Sequence, residues 1–311
     1  MEVRTRKKGW GQRRKKDLIF VACLVALPLL HFFIFWICVN FNSILLAFKK
    51  YDVKGNYDWV FFKNFASLFE DFKHFTLFEK ALKNSIAFFV IGTAASAGLS
   101  LMFSYYIYKQ APMKNLFKIL LFMPSIIPGI AMSTIFKQFV ENAVPSLMKL
   151  LFGIQMKGLL QNPETTMGTI LFFNIWVGFG TNILLYLGAM CSISDSVVEA
   201  AKLDGVTFFQ EFIYITFPSV FSTFRTLLIV ALGGVFTNGG GILNFFGTTA
   251  EEAHYTIGYY LYIQTVGSTL NNSYVALPKV ASFGLLLTAI TLPMVFTTNW
   301  ALRRYGPRTE D

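Results

Sequence analysis

The segment Glu199-Ala200-Ala201-Lys202-Leu203-Asp204-Gly205, with Ile215-Thr216-Phe217-Pro218 beyond it, is a polar, locally ordered insert between two strongly apolar stretches. Its residue types suit contact with something in water rather than bond-making. Ser196 with Glu199 three residues later has the spacing of a capping box, which predicts a helix beginning at Val197. Ala200 and Ala201 are strong helix formers with almost no bulk, so a partner surface can approach that face closely. Gly205 after Asp204 is placed to take the left-handed conformation that closes a helix. Thr207 and Gln210 repeat the capping spacing and predict a second turn from Phe208 to Ile213. Pro218 suits the first turn of the next helix, where its missing donor would be unpaired anyway. The segment reads as a helix, a glycine bend and a second turn.

Catalytic chemistry finds no support elsewhere. The chain has no phosphate-binding loop of the form Gly-x4-Gly-Lys-Ser/Thr. His31, His74 and His254 are not placed for a metal or for a triad with a carboxylate. Cys23, Cys38 and Cys191 are scattered, which fits neither a disulfide framework nor a metal site. No catalytic residue and no metal ligand is assigned.

The elements that must hold the insert are membrane helices. Of the 311 residues 54% are hydrophobic and 14% charged, and the mean hydropathy is +0.53, far from a soluble domain with its roughly one quarter charged residues. Apolar runs lie near residues 18–41, 81–108, 117–140, 167–190, 219–237 and 276–302, each near or above the roughly twenty residues a helix needs to cross the hydrocarbon. The first is too long for a signal-peptide core and lacks a cleavage signature, so it reads as a retained anchor. The fold class expected is an all-α integral membrane protein of about six spans, one domain over 18–302, with residues 191–218 between the fourth and fifth.

A net charge of +10 is of the sign that nucleic acid attracts, but the position of the charges argues against that partner. Arg4, Arg6, Lys7, Lys8, Arg13, Arg14, Lys15 and Lys16 precede the first span; Lys109, Lys114, Lys118, Lys202, Arg303, Arg304 and Arg308 lie on the same predicted side. The positive-inside rule makes that side cytoplasmic, with both termini, residues 1–17 and 303–311, on it. Lys49, Lys50, Lys54, Lys63, Lys73, Lys80 and Lys83, in or beside the first outer loop, strain the rule. That loop, from Tyr51 to Glu79, is aromatic-rich, with Trp59-Val60-Phe61-Phe62 and Phe65. It reads as an interfacial belt with an amphipathic turn, or as a platform for an extracellular partner.

Glu199, Ala200, Ala201, Gly205, Ile215, Phe217 and Pro218, at their fixed spacing, resemble the signature loop of bacterial ABC-importer permeases, with Phe217 where that family usually has Leu. Asn42-Ser43-Ile44-Leu45-Leu46-Ala47-Phe48, Asn64-Phe65 and Phe122-Met123-Pro124-Ser125-Ile126-Ile127-Pro128-Gly129 are similar to the carbohydrate-uptake branch. The resemblance implies that the loop is a coupling helix docking on a cytoplasmic ATPase through Glu199, Ala200, Ala201, Asp204, Gly205, Ile215 and Pro218. It also implies a second homologous permease, an extracytoplasmic sugar-binding protein, ATP and magnesium held by the partner ATPase and not by this chain, and an inner-membrane location.

Sugars are neutral polyols, so their path should offer amides, hydroxyls and aromatic faces. The deep candidates are Asn174, Trp176, Thr181, Asn182, Tyr186 and Asn238. Asn174 and Asn182, eight residues apart, share a helix face with Gly178. The same asparagines equally suit bonds across helices that hold a bundle together. Pro124 and Pro128 mark a hinge or a static bend, and Gly239-Gly240-Gly241 a hinge or a terminator. Arg225, near the start of the fifth span, reads as a snorkelling side chain. Carboxylates are absent from the predicted span centres, which weighs against an ion-coupled secondary carrier, the alternative reading beside a permease for a non-sugar solute.

Overall fold

The computed structural model describes residues 8–52, 54–74, 76–270 and 275–307. Arg4, Arg6, Lys7 and Arg308 lie outside them. Contacts divide the chain into two compact units, residues 1–68 with 268–285 and residues 69–267 with 286–311.

In the first unit, α1 (Lys8–His31) runs through a π-helical stretch (Phe32–Cys38) into α2 (Val39–Leu46). A two-stranded antiparallel ribbon follows, β1 (Lys49–Tyr51) and β2 (Tyr57–Trp59), pairing Lys49 with Trp59 and Tyr51 with Tyr57. Asp52 closes its turn, its side chain accepting the backbone N–H groups of Lys54 and Asn56 at 2.9 Å each. The ribbon adds strand to a helical fold, and its cause is local turn chemistry between aromatic pairs. The Lys49 ammonium lies 4.1 Å from the Tyr57 ring centroid and 5.2 Å from that of Trp59, which is how a lysine here is almost fully buried. The Asn64 amide donates to the carbonyls of Ala47 and Lys49 at 2.8 Å each. It so fastens the start of α3 (Lys63–His74) beneath the ribbon.

In the second unit, α4 (Thr76–Tyr108) leads by a tight turn to α5 (Lys114–Ile126), then α6 (Gly129–Gln138) and α7 (Val144–Phe152). Next come α8 (Pro163–Met190), α9 (Asp195–Leu203), α10 (Phe208–Glu211), α11 (Phe217–Ser219) and α12 (Phe221–Gly233). The chain continues with α13 (Ile242–Phe246) and α14 (Ile257–Leu270) and closes with α15 (Leu277–Tyr305); α3, α14 and α15 each carry residues of both units. Among the described residues four helical runs are long and apolar enough to cross a membrane: Lys15–Leu46, Thr76–Tyr108, Pro163–Met190 and Leu277–Tyr305. Two bent pairs, Lys114–Ile126 with Gly129–Phe152 and Phe208–Ser219 with Phe221–Gly233, bring the number to six when each counts as one span.

The apolar run at 117–140, continuous in sequence, is therefore not a straight rod. That at 219–237 holds the single helix α12, and the bend of its pair falls at its start, at Val220. Of the two bends, the first is the sharper, at 104°, and the break falls at Ile127 and Pro128, whose ψ angles of 135° and 131° leave helical space. Pro124 stays inside α5 without breaking it. The residue before a proline is driven toward extended geometry, which explains Ile127 directly.

The packing of α4 against α8 is made by small hydroxyl residues. Ser100 Oγ donates to the Phe179 carbonyl at 3.1 Å and Ser104 Oγ to the Ile183 carbonyl at 3.0 Å, both buried. Such residues let helix axes approach closely in a bilayer. Gly180 does the same for α5, because a Cβ there would collide with the Leu121 carbonyl oxygen. One apolar core gathers Met132, Phe136, Ile170, Phe173, Ile242, Phe245 and Tyr259. Another gathers Leu101, Tyr105, Tyr186, Met190 and Val220.

Candidate functional site

The signature segment folds as a helix, a glycine bend and a second turn. The helix starts earlier than the capping spacing indicates: α9 begins at Asp195 with Ser194 as N-cap. The Ser196–Glu199 box does not form, because Ser196 Oγ lies 2.7 Å from Ser194 Oγ and pairs with it instead. Asp195 then occupies the first turn, where a negative charge meets the positive end of the helix dipole. Gly205 has φ of +72°. Its N–H bonds the Lys202 carbonyl at 3.2 Å, and the Val206 N–H bonds the Ala201 carbonyl at 3.2 Å, the paired closure of a Schellman motif. The Thr207–Gln210 capping box forms and opens α10. A π-helical turn (Phe212–Thr216) then carries the chain into α11.

Pro218 sits in the first turn of α11, which is short and ends at Ser219. The break comes at Val220, with φ of −96° and ψ of 6°, and the two parts meet at 66°. Glu199, Ala200, Asp204 and Gly205 are exposed, and Ile215 and Pro218 are half-buried. Ala201 is turned inward and buried, so only Ala200 of the pair lies on an open face. The exposed bulk comes from residues the sequence reading passed over: Leu203 is 89% exposed, Phe209 74% and Tyr214 73%. Their signal was present in sequence, since large apolar side chains sat in an otherwise polar insert.

The loop is held from beneath. Glu211, its side chain 6% exposed, accepts from the Lys109 ammonium through both oxygens, at 2.8 and 2.7 Å. The Tyr105 hydroxyl donates to the Phe208 carbonyl at 2.9 Å, and its ring packs 4.6 Å from that of Phe208 and 5.0 Å from that of Phe212.

Between α4, α8 and α12 lies a cavity of about 460 Å³, within the usual range for a small-molecule site of roughly 300–1,000 Å³. Asn174, Asn182, Tyr186 and Asn238 line it. Trp176 does not; it packs among protein side chains, 6.0 Å from the Phe136 ring. Thr181 is exposed elsewhere on α8 and does not line it either. The polar wall that sequence reasoning missed comes from α4, through Ser85, Thr93 and Ser96. Their spacing is helical, so one face of α4 carries all three. Among the described residues, none that lines it is charged.

Each asparagine also holds structure. The Asn174 amide donates to the Ile170 carbonyl at 2.8 Å and the Gly240 carbonyl at 2.7 Å, tying α8 to the glycine turn before α13. Asn182 donates to Ser96 Oγ at 3.3 Å, and Asn238 Oδ1 accepts the Gly240 N–H at 2.9 Å. Lining and bracing are thus properties of the same side chains. Among the described residues, no three His, Cys, Asp or Glu side chains are grouped so as to hold a metal ion.

Residues 96–311, which include the α9 loop and much of the cavity wall, match the family described as binding-protein-dependent transport system inner membrane component. The chain belongs to that family. This inner membrane component is 26% identical over 238 residues to the probable ABC transporter permease protein YesP of Bacillus subtilis (strain 168), covering 70% of this chain and 75% of YesP. It is 27% identical over 219 residues to the galactooligosaccharides transport system permease protein GanP of the same organism. That match covers 66% of this chain but 51% of GanP, so only about half of that relative is spanned. The fold of the component resembles that of a bacterial ABC transporter involved in the import of the acidic polysaccharide alginate. The TM-score is 0.78 at 21% identity, over 96% of this chain and 99% of that one. It is a multi-pass inner-membrane protein and a transport subunit, and its helical fold is the one the sequence led us to expect.

Proposed function

We propose that this chain is the transmembrane permease subunit of an ATP-driven importer for a sugar or oligosaccharide. The observation that carries the reading is a cavity with amide, hydroxyl and aromatic walls and no charge, in a chain of this family whose relatives include one named for galactooligosaccharides. Neutral polyols bind through such groups, and a buried ionised side chain without a partner would be costly there. An extracytoplasmic binding protein delivers the sugar. A second, homologous permease completes the path.

The exposed face of α9, α10 and the π-helical turn after them, with Glu199, Ala200, Asp204 and Gly205 beside Leu203, Phe209 and Tyr214, meets a cytoplasmic ATPase, which holds ATP and magnesium. ATP hydrolysis takes place on that partner. Residues 1–17 and 303–311 lie in the cytoplasm on either side of one permease domain over 18–302, an orientation supported by Lys15, Lys16, Arg303 and Arg304 at the ends of the first and last spans.

The test is to tag this chain, extract it gently from native membranes and identify its companions by mass spectrometry. Recovery of an ATPase subunit and a second permease is expected. Recovery of the chain alone, even after crosslinking at residues 199–205, would overturn the proposal.

A further inference from the structure

We propose that Lys109, Glu211 and Tyr105 form a fixed joint that makes the 208–212 turn and the Tyr108 end of α4 move as one body. The loop after the fourth span would thereby drive the cavity wall. This rests on the reading of that loop as the ATPase-facing element, and it adds the positioning residues through which its motion reaches the membrane.

The geometry is that of a clamp. Both Glu211 oxygens take the same ammonium, and the side chains of Lys109 and Glu211 are 21% and 6% exposed. A carboxylate that deep needs its partner, because removing one half strands a buried charge; such pairs act best as register pins. Tyr105, 3% exposed, makes a second attachment to the same turn through its hydroxyl and ring.

The base of Lys109 is itself immobilised. Gln110 and Met113 both have positive φ, 57° and 58°. The Ala111 N–H bonds the Tyr106 carbonyl at 3.3 Å, and the Tyr106 hydroxyl bonds the Pro112 carbonyl at 2.8 Å. The turn after α4 is over-determined in a backbone region that non-glycine residues rarely occupy.

Behind the joint, packing continues to the cavity. Tyr105 shares a core with Leu101, Tyr186, Met190 and Val220, against which Phe224 and Leu227 pack. Tyr186, Phe224 and Leu227 also line the cavity, as do Thr93 and Ser96 farther along α4. Displacing the 208–212 turn therefore displaces the wall.

The test uses the native complex, purified through a tag on this chain with Cys23, Cys38 and Cys191 replaced by serine. Thr93→Cys reports the cavity through its rate of reaction with a charged methanethiosulfonate reagent, with and without MgATP and orthovanadate. In the parent complex nucleotide should change that rate by about fivefold or more, the lower end of ordinary coupling between sites. Lys109→Glu and Glu211→Lys should each abolish the change while ATP hydrolysis continues, and the combined exchange should restore it.

Should a single variant fail to accumulate, Lys109→Cys with Glu211→Cys bridged by a short bifunctional thiol reagent answers the same question. A fixed joint tolerates tethering, so the nucleotide response persists. Loss of response on tethering would overturn the proposal, as would a full response in both charge-reversed variants. No nucleotide response in the parent complex would remove the coupling reading itself, and the joint with it.

Discussion

Asn174 shows how one side chain serves packing and path together. Its amide spans α8 and the glycine turn through two short bonds, one to the Ile170 carbonyl one turn back in α8 and one to the carbonyl of buried Gly240. Asn174→Ala should therefore cost about 1–3 kcal/mol, the range for orphaning a buried acceptor. Asn182, bonded to Ser96 at 3.3 Å, should cost less, about 0.5–1 kcal/mol. Thermal unfolding in detergent would rank the two. If the cavity is the path, both substitutions also lower sugar uptake and substrate-stimulated ATP hydrolysis. Unchanged transport in both variants would reduce the asparagines to braces.

At the scale of elements, the two decisive features are a bend and a contact. Gly205, at φ of +72°, closes α9. Valine there faces the left-handed region with a β-branched side chain, a strain of roughly 1–3 kcal/mol. Gly205→Val should reach the membrane yet hydrolyse ATP without import, a split seen by measuring both rates in one vesicle preparation. Gly180→Leu acts differently. Its added atoms enter the space of the Leu121 carbonyl, so α5 cannot seat on α8. Overpacking of this kind costs about 1–3 kcal/mol or more, and lower membrane abundance on immunoblots should report it.

The loop was legible in sequence because its logic is local: Schellman closure and the Thr207–Gln210 box both act within a few residues. The Ser196 box failed for an equally local reason, a competing hydroxyl at Ser194. The third span's break was half legible. Pro128 announced a weakness, but a 104° bend depends on what α6 packs against, and its core partners lie on α8 and α13.

At the scale of the whole molecule, membrane class follows from composition, since no soluble core needs so many long apolar runs. The uncharged cavity bears on the driving force. A carrier coupled to protons or sodium usually keeps an ionisable or ion-coordinating group at mid-membrane, and no such charge lines this one. Vesicles depleted of ATP should therefore show no sugar accumulation under an imposed proton or sodium gradient. Gradient-driven uptake would put a secondary carrier in place of the importer.

The sequence by itself determined the membrane class, the order of the apolar segments, the signature loop and its glycine closure. Each depends on neighbours in the chain or on a count of apolar residues, and both are written in the linear order. Only the tertiary structure decided which faces meet. It placed Ser85, Thr93 and Ser96 beside Asn174 and Asn182, and it sent Trp176 into the protein and Thr181 out of the cavity. It also joined Lys109 to Glu211 across 102 residues. A helix carries every face at once in its sequence, and which face is a wall is settled only when another helix packs against it.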